Sequence, residues 1–375
     1  MTRKDALNSL LAVTLGLIAG AILMLLIGDS PVDGYVYLFK GGLMNIQRIG
    51  DTLATAAPLI FTGLSVGFAF KTGLFNIGTP GQMLAGGFTA TAVGLLYNDS
   101  MPRFLLLSAM ILCGALAGAV WAFVPGLLKA KFNVNEVVSS IMMNWTAYWI
   151  VNYSIPFYFK GSSETESKNI PAIASLKTEW LTNIFDGSYI NLGLILAIIA
   201  VIVIGFILNK TVLGYELKAV GFNRDAAEYA GMSVNKNIIL AMMIAGALSG
   251  LAGVAQYVGN SSNMQIGVMP SQGFDGIAVS LLGANSPVGI LVSAIFFGLL
   301  YSGKGFMNVN TSIPPEIADT IIAIIIYFAA ISAAVPIVVN KYKKMKAKKA
   351  GDTGVGILPN EPETQDDADT DKEEK

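Results

Sequence analysis

Apolar runs of about twenty residues, separated by short polar clusters, recur from one end of the chain to position 338. That length is what a helix needs to cross about 30 Å of hydrocarbon. The pattern predicts spans at 7–28, 52–70, 81–97, 104–126, 134–157, 189–208, 238–258, 270–283, 287–303 and 317–338. The eighth is short and flanked by Gly and Pro, so eight to ten crossings are expected. Inside the runs, glycines repeat at Gly16/Gly20, Gly63/Gly67, Gly114/Gly118 and Gly246/Gly250. A four-residue spacing of small residues lets helix backbones approach closely, so these read as packing positions. Segment 29–50, with Pro31 and Gly41-Gly42, reads as a connection on the side away from the N-terminus. Its alternating Tyr35, Tyr37 and Phe39 suit an interfacial belt better than a strand.

Two stretches break the apolar pattern in a second way. Thr62 to Gly87 carries Lys71, Asn76, Thr79, Pro80 and Gln82 among the glycines Gly73, Gly78 and Gly81. Residues 259–287 are likewise interrupted by Gly and Pro and hold Asn, Gln, Ser and Asp275. Freed backbone groups at membrane depth are tolerated only where protein or a water-filled cavity satisfies them. Transporters use such interrupted helices, in corresponding halves, to build a site near the midplane. For the first stretch a tight turn between two spans is an equally open reading.

Composition agrees with the pattern. Of 375 residues 54% are hydrophobic and 13% charged, with 40 Gly and a mean hydropathy of +0.61. An all-α polytopic membrane protein is the expected fold. The single Cys (Cys113) and the absence of His exclude a disulfide framework, Ser-His catalysis and His or Cys metal sites. No cofactor and no covalent chemistry are expected. The first apolar run follows Arg3 and Lys4 and is longer than a signal-peptide core, so a retained first span is expected. With ten crossings and the N-terminus inside, 17 of the 24 Lys and Arg fall on the inner side. Six of them cluster in Lys341–Lys349, ahead of an acidic stretch over 351–375. That end, 341–375, is expected to be a disordered cytoplasmic tail following a transmembrane domain over 1–340.

The same count places the polar segment 209–237 inside. It holds Gly221, Asn223, Asp225, Ala226, Ala227 and Gly231 in the order Ala-Val-Gly-x-Asn-x-x-Ala-Ala-x-x-x-Gly. Small alanines let a short helix lie close to a partner, and glycine permits the turn after it. Further back, Gly73 to Met83 reads GLFNIGTPGQM, and Asn135 to Val138 reads NEVV, followed by Asn144, Trp145, Tyr148 and Trp149. Together these motifs resemble permease subunits of ABC importers, in the group that carries nucleosides, simple sugars and branched-chain amino acids, and its nucleoside branch above all. The resemblance covers about residues 50 to 335. Phe222 and Arg224 stand where the group more often has an acidic residue and a proline.

What the resemblance implies is a translocation path shared by two permease subunits, the second a homologue or the same chain. An ATPase subunit would dock on 209–237, and an extracellular lipoprotein would deliver substrate, all in a bacterial cell membrane. It assigns ATPase coupling to the six residues of 221–231 named above. It places Asn76, Gln82, Asn144, Trp145 and Asp275 along the path, where the aromatic rings suit stacking on a base. No nucleic-acid partner is expected. Glu136 reads either as a charge facing a cavity or as a capping charge at the membrane surface. The long excursion 158–188 suits a plug, a docking surface for the lipoprotein or a solvated loop. Gly298 to Lys304 nearly spells a phosphate-binding loop, but Gly305 stands at its Ser/Thr position and a membrane run precedes it, so it is rejected as a nucleotide site. A simple-sugar cargo is the alternative. An ion-coupled transporter is less favoured, because few carboxylates lie at depth.

Overall fold

Nearly the whole described chain is helical, since backbone groups in a bilayer must find their hydrogen bonds within their own segment. The computed structural model describes residues 3–328 and Ile331, with side chains from Leu7 onward. These belong to one compact unit, Met1–Ala333. The expected tail over 341–375 and the end of the last expected span lie outside the described residues.

Helices α1 (Arg3–Ile27), α2 (Pro31–Leu43), α3 (Ile46–Lys71), α4 (Thr79–Tyr97), α5 (Arg103–Phe132) and α6 (Glu136–Tyr158) come first. A long connection with a short helix α7 (Glu179–Ile184) leads to α8 (Leu192–Lys210), α9 (Val212–Phe222) and α10 (Arg224–Tyr229). Then α11 (Val234–Val254) runs on into a π-helical turn, Ala255–Asn260, and α12 (Ser271–Leu282), α13 (Pro287–Asn310) and α14 (residues 315–328) follow. Among the described residues, six helices are long and apolar enough to cross a membrane: α1, α3, α5, α8, α11 with its π turn, and α13. Helices α4 and α6, of 19 and 23 residues, also have spanning length. Their lower apolar content reflects the polar residues discussed below. Helix α12 has 12 residues, about 18 Å, and cannot cross alone.

Helix α3 is the axis of the unit: from Gly50 to Ala69 nearly every residue is buried, against α8, α11, α12 and α13. The four glycine spacings all sit at helix crossings. A Cβ on Gly114, Gly118, Gly246 or Gly250 would collide with the facing backbone or side chain between α5 and α11. Gly63 and Gly67 meet Ile290 of α13, and Gly16 and Gly20 of α1 meet Ile325 and Ile321 of α14. Gly298 and Gly303 of α13 rest on Thr52 and Leu38, so the near phosphate-loop spelling is packing within a helix. With lipid tails as apolar as leucine, this close van der Waals contact is what holds such helices together.

Segment 29–50 departs from expectation. Its residues Pro31–Leu43 form a 13-residue helix and no strand, started by the Ser30 hydroxyl that accepts from Asp33 N (3.4 Å) and by Pro31 at the first position. Leu38 and Gly41 are buried against α13, and Tyr35 donates to Leu17 O of α1. The two-residue alternation of aromatics was incidental to a four-residue burial of Gly34, Leu38 and Gly42. The 159–191 connection is also folded: Ile170, Ala174 and Leu176 are buried on Val254 and Val258 at the end of α11.

Candidate functional site

At the end of α3 the chain reverses through Gly73, whose φ of +70° is the left-handed conformation that glycine adopts without strain. Residues 74–78 then run back along α3 without helical structure, and α4 begins at Thr79. Asn76 ties this return to its surroundings. Its Nδ2 donates to Gln82 Oε1 (2.9 Å) and Ser65 Oγ (3.2 Å), while its Oδ1 accepts from Gln82 Nε2 (2.9 Å) and Gly78 N (3.1 Å). Ser249 of α11 extends the network to Ser65 (2.8 Å). Asn144 of α6 clamps the same turn: its Oδ1 accepts from Gly81 N (2.9 Å) and its Nδ2 donates to Ile77 O (3.0 Å). The amide groups of Asn76, Gln82 and Asn144 are thus spent on one another and on the broken backbone, at exposures of 0%, 1% and 3%. Buried polar groups left unpaired here would each cost about 1–3 kcal/mol, so the knot makes the break tolerable.

The second break meets the first. Asn260, closing the π turn, donates to Ala54 O (2.9 Å), which levels that end of α11 with Ala54 of α3. Thr62 lies midway between Ala54 and Lys71, and Gly276 of α12 rests on it, a Cβ there falling 2.6 Å from Thr62 Cβ. One turn earlier, Gly273 rests on Pro80, a Cβ there falling 2.6 Å from its Cα. Helices α4 and α12 therefore both begin near the middle of the unit, N-terminus beside N-terminus. Neither start has a side-chain cap. Paired helix N-termini at depth present partial positive charge to one locus.

The polar segment forms a helical hairpin. Thr211 caps α9 (Gly214 N to Oγ1, 3.1 Å), and Asn223 both ends α9 and caps α10 (Ala226 N to Oδ1, 3.0 Å). Asp225 lies in the first turn of α10, where its charge complements the helix dipole. Helix α10 ends in a Schellman turn: Met232 N donates to Ala227 O (3.0 Å) and Gly231 N to Glu228 O (2.9 Å), with Gly231 at φ +82°. Ala227 is buried, whereas Phe222 and Tyr229, on either side of α10, are each 94% exposed. Gly221 touches the other end of this machinery. Its Cα lies 3.3 Å from an ideal Cβ on Gly73, and a Cβ on Gly221 itself would collide with Lys71 O. The hairpin is thus seated, backbone on backbone, on the turn that opens the Asn76 break.

The structure brings Asn76, Gln82 and Asn144 into one network, and leaves Trp145 and Asp275 outside it. Trp145 points away from Asn144, 53% exposed on α6, and meets Tyr148 edge-on (5.4 Å). Asp275 of α12 faces Tyr301 and Ser271, with one carboxylate oxygen buried and unpaired. Glu136 forms an ion pair with Lys129 (2.9 Å) at the junction of α5 and α6, which favours the capping reading of that charge. Among the described residues no cluster suited to a metal ion occurs.

Residues 48–330, most of the chain, match the family described as branched-chain amino acid transport system, permease component. The chain belongs to that permease family. Its curated relatives include the guanosine ABC transporter permease NupP of Bacillus subtilis, 43% identical over 90% of this chain and 97% of that protein. The nucleoside ABC transporter permease NupB of Lactococcus lactis is 41% identical over 93% of this chain and 97% of its own length. The glucose ABC transporter permease TsgB13 of Haloferax volcanii is 32% identical over 85% of each. Bacillus subtilis also has a second guanosine permease, NupQ, 29% identical over 67% of this chain and 79% of that protein. The chain is thus a membrane-spanning transport component and not an enzyme.

Sequence reasoning missed Ser65, Ser249 and Gly73 as members of the site, and Phe222 and Tyr229 as the exposed edges of the hairpin. The aromatic pair had a signal: two large apolar residues in a charged stretch, seven positions apart. The serines had none.

Proposed function

We propose that this permease carries nucleosides, as one half of a two-permease path in an ATP-driven importer. The observation that carries the cargo is identity of 43% and 41% with permeases for guanosine and nucleosides over nine-tenths of the chain. The glucose permease is more distant, at 32%. The second permease is a homologue: the guanosine system of Bacillus subtilis has two, and both are similar to this chain. An ATPase subunit binds the α9–α10 hairpin on the cytoplasmic side, and a lipoprotein delivers substrate on the opposite face of a bacterial cell membrane.

Supporting the docking reading, α10 buries Ala227 inward while Phe222, ending α9, and Tyr229, ending α10, face outward. Asn223, Asp225, Ala226 and Gly231 set its start and its end, and Gly221 relays its position to the break. Asn76, Gln82 and Asn144 shape the path by fixing where α4 begins, and Trp145 and Asp275 belong to its wall. Uptake of radiolabelled guanosine into vesicles holding the assembled importer tests this. Uptake should survive an uncoupler and stop without ATP. Uptake abolished by the uncoupler with ATP present would instead mean ion coupling.

A further inference from the structure

A polar cavity of about 280 Å³ opens beside the start of α12. Gln256 and Tyr257 of the π turn form one wall, Asn263 and Gln265 of the descending connection another, and Ser271 and Gln272 of α12 the floor. Three independent features converge on it. The π turn widens α11 at Gln256 and Tyr257, and such turns are frequent at functional sites. Helix α12 starts there uncapped, seated on Pro80 of the first break. Among the described residues the side-chain amides of Gln265 and Gln272 find no hydrogen-bond partner, and Gln256 makes one long bond, accepting from Asn260 at 3.4 Å.

The chemistry of the lining selects a class of ligand. Each glutamine offers two N–H donors and an acceptor oxygen, and no Lys, Arg, Asp or Glu lines the cavity. A charged solute would find no counter-charge here, and moving it from water without one is expensive. A neutral solute carrying both donors and acceptors along a rigid edge fits. A nucleobase and its ribose have that character. The volume lies just under the range of about 300–1,000 Å³ typical of drug-sized ligands, as suits a smaller solute.

We propose that this cavity is where a nucleoside is held on the permease during passage, its polar edges bonded by the amides of Gln256, Gln265 and Gln272. This rests on the nucleoside reading above. The site lies along the second interrupted segment, one residue before Gly273, which rests on Pro80 of the first.

The test uses the complete importer reconstituted in vesicles, with tritiated guanosine as the probe. Q256L/Q272L and, separately, Q265L should raise the uptake KM at least about tenfold, the loss of one to two hydrogen bonds, with maximal rate nearly kept. Co-purification of the ATPase and its basal ATP hydrolysis should match wild type, which shows the variants to be folded. The single variant lies on an exposed loop and stands in if the double variant does not assemble. Unchanged KM in folded variants, beside ATP-driven guanosine uptake by wild type, overturns the cavity assignment alone. Wild-type importer that moves no guanosine overturns the nucleoside reading and this inference with it.

Discussion

Gly231 and Gly221 are both glycines in one short motif, yet they answer different demands. Gly231 has φ +82° and nothing within 4 Å of where a Cβ would stand, so the position needs backbone freedom and has room to spare. Gly221 is limited by space, with Lys71 O and the Gly73 backbone against it. Asparagine tolerates the left-handed region and a β-branched residue does not. G231N should therefore keep uptake near wild type, while G231V loosens the end of α10 by about 1–2 kcal/mol and lowers ATPase co-purification. G221A should still bind the ATPase but pass on less of its motion, leaving ATP hydrolysis high and uptake low. Equal loss in G231N and G231V would show that the position is not governed by φ. The motif's glycines were legible in the sequence, but their separate reasons were not, because crowding by Lys71 O is a contact across about 150 positions. Ser65 and Ser249 were hidden for a related cause. A serine in an apolar helix ordinarily bonds back to its own turn, as Ser249 does to Ala245 O (3.2 Å), so its further bond to Ser65 leaves no local trace.

At the scale of elements, the sequence showed both interruptions, because Gly and Pro amid apolar runs leave backbone groups that must be satisfied somewhere. It did not show that α4 and α12 start against each other, nor that α11 ends in a π turn, since no composition marks a one-residue widening. The knot is the element on which the first break depends. Cutting Asn76 to Ala strands Gln82 and Gly78 N in a dry interior, at about 1–3 kcal/mol for each group left unsatisfied. Removing both amides as N76A/Q82A strands fewer groups than the two single changes together, so the double variant should be less destabilised than the sum of N76A and Q82A. Thermal unfolding in detergent, run as a double-mutant cycle, reads that coupling. Additive losses would mean that the two amides do not act as a pair. Asn144 anchors the same turn from α6, so N144L should add a loss of similar size and shift uptake and stability together.

At the scale of the whole molecule, close contacts link the hairpin to both breaks in one continuous chain. From α10 it runs through Gly221 to Gly73, along residues 74–78 to the amide knot, and across Pro80 and Gly273 to α12. Each joint is backbone against backbone or a closed hydrogen-bond pair, with little flexible side chain to absorb motion. At its outer end stands the aromatic pair Phe222 and Tyr229, each 94% exposed in a segment otherwise rich in charge and amides, which we propose as the handle for the ATPase. Large aromatic residues with both flanks bare are the kind that dominate a protein interface once desolvated, at 2 kcal/mol or more each by rough scale. F222S/Y229S should therefore reduce ATPase co-purification more than about tenfold while the permease unit unfolds at the wild-type temperature, because neither ring touches its core. Substituting the equally bare Phe104 (84% exposed), on another helix, should leave co-purification unchanged. If the two variants behave alike, the hairpin is not the handle, and an exposed aromatic edge on this chain means only contact with lipid.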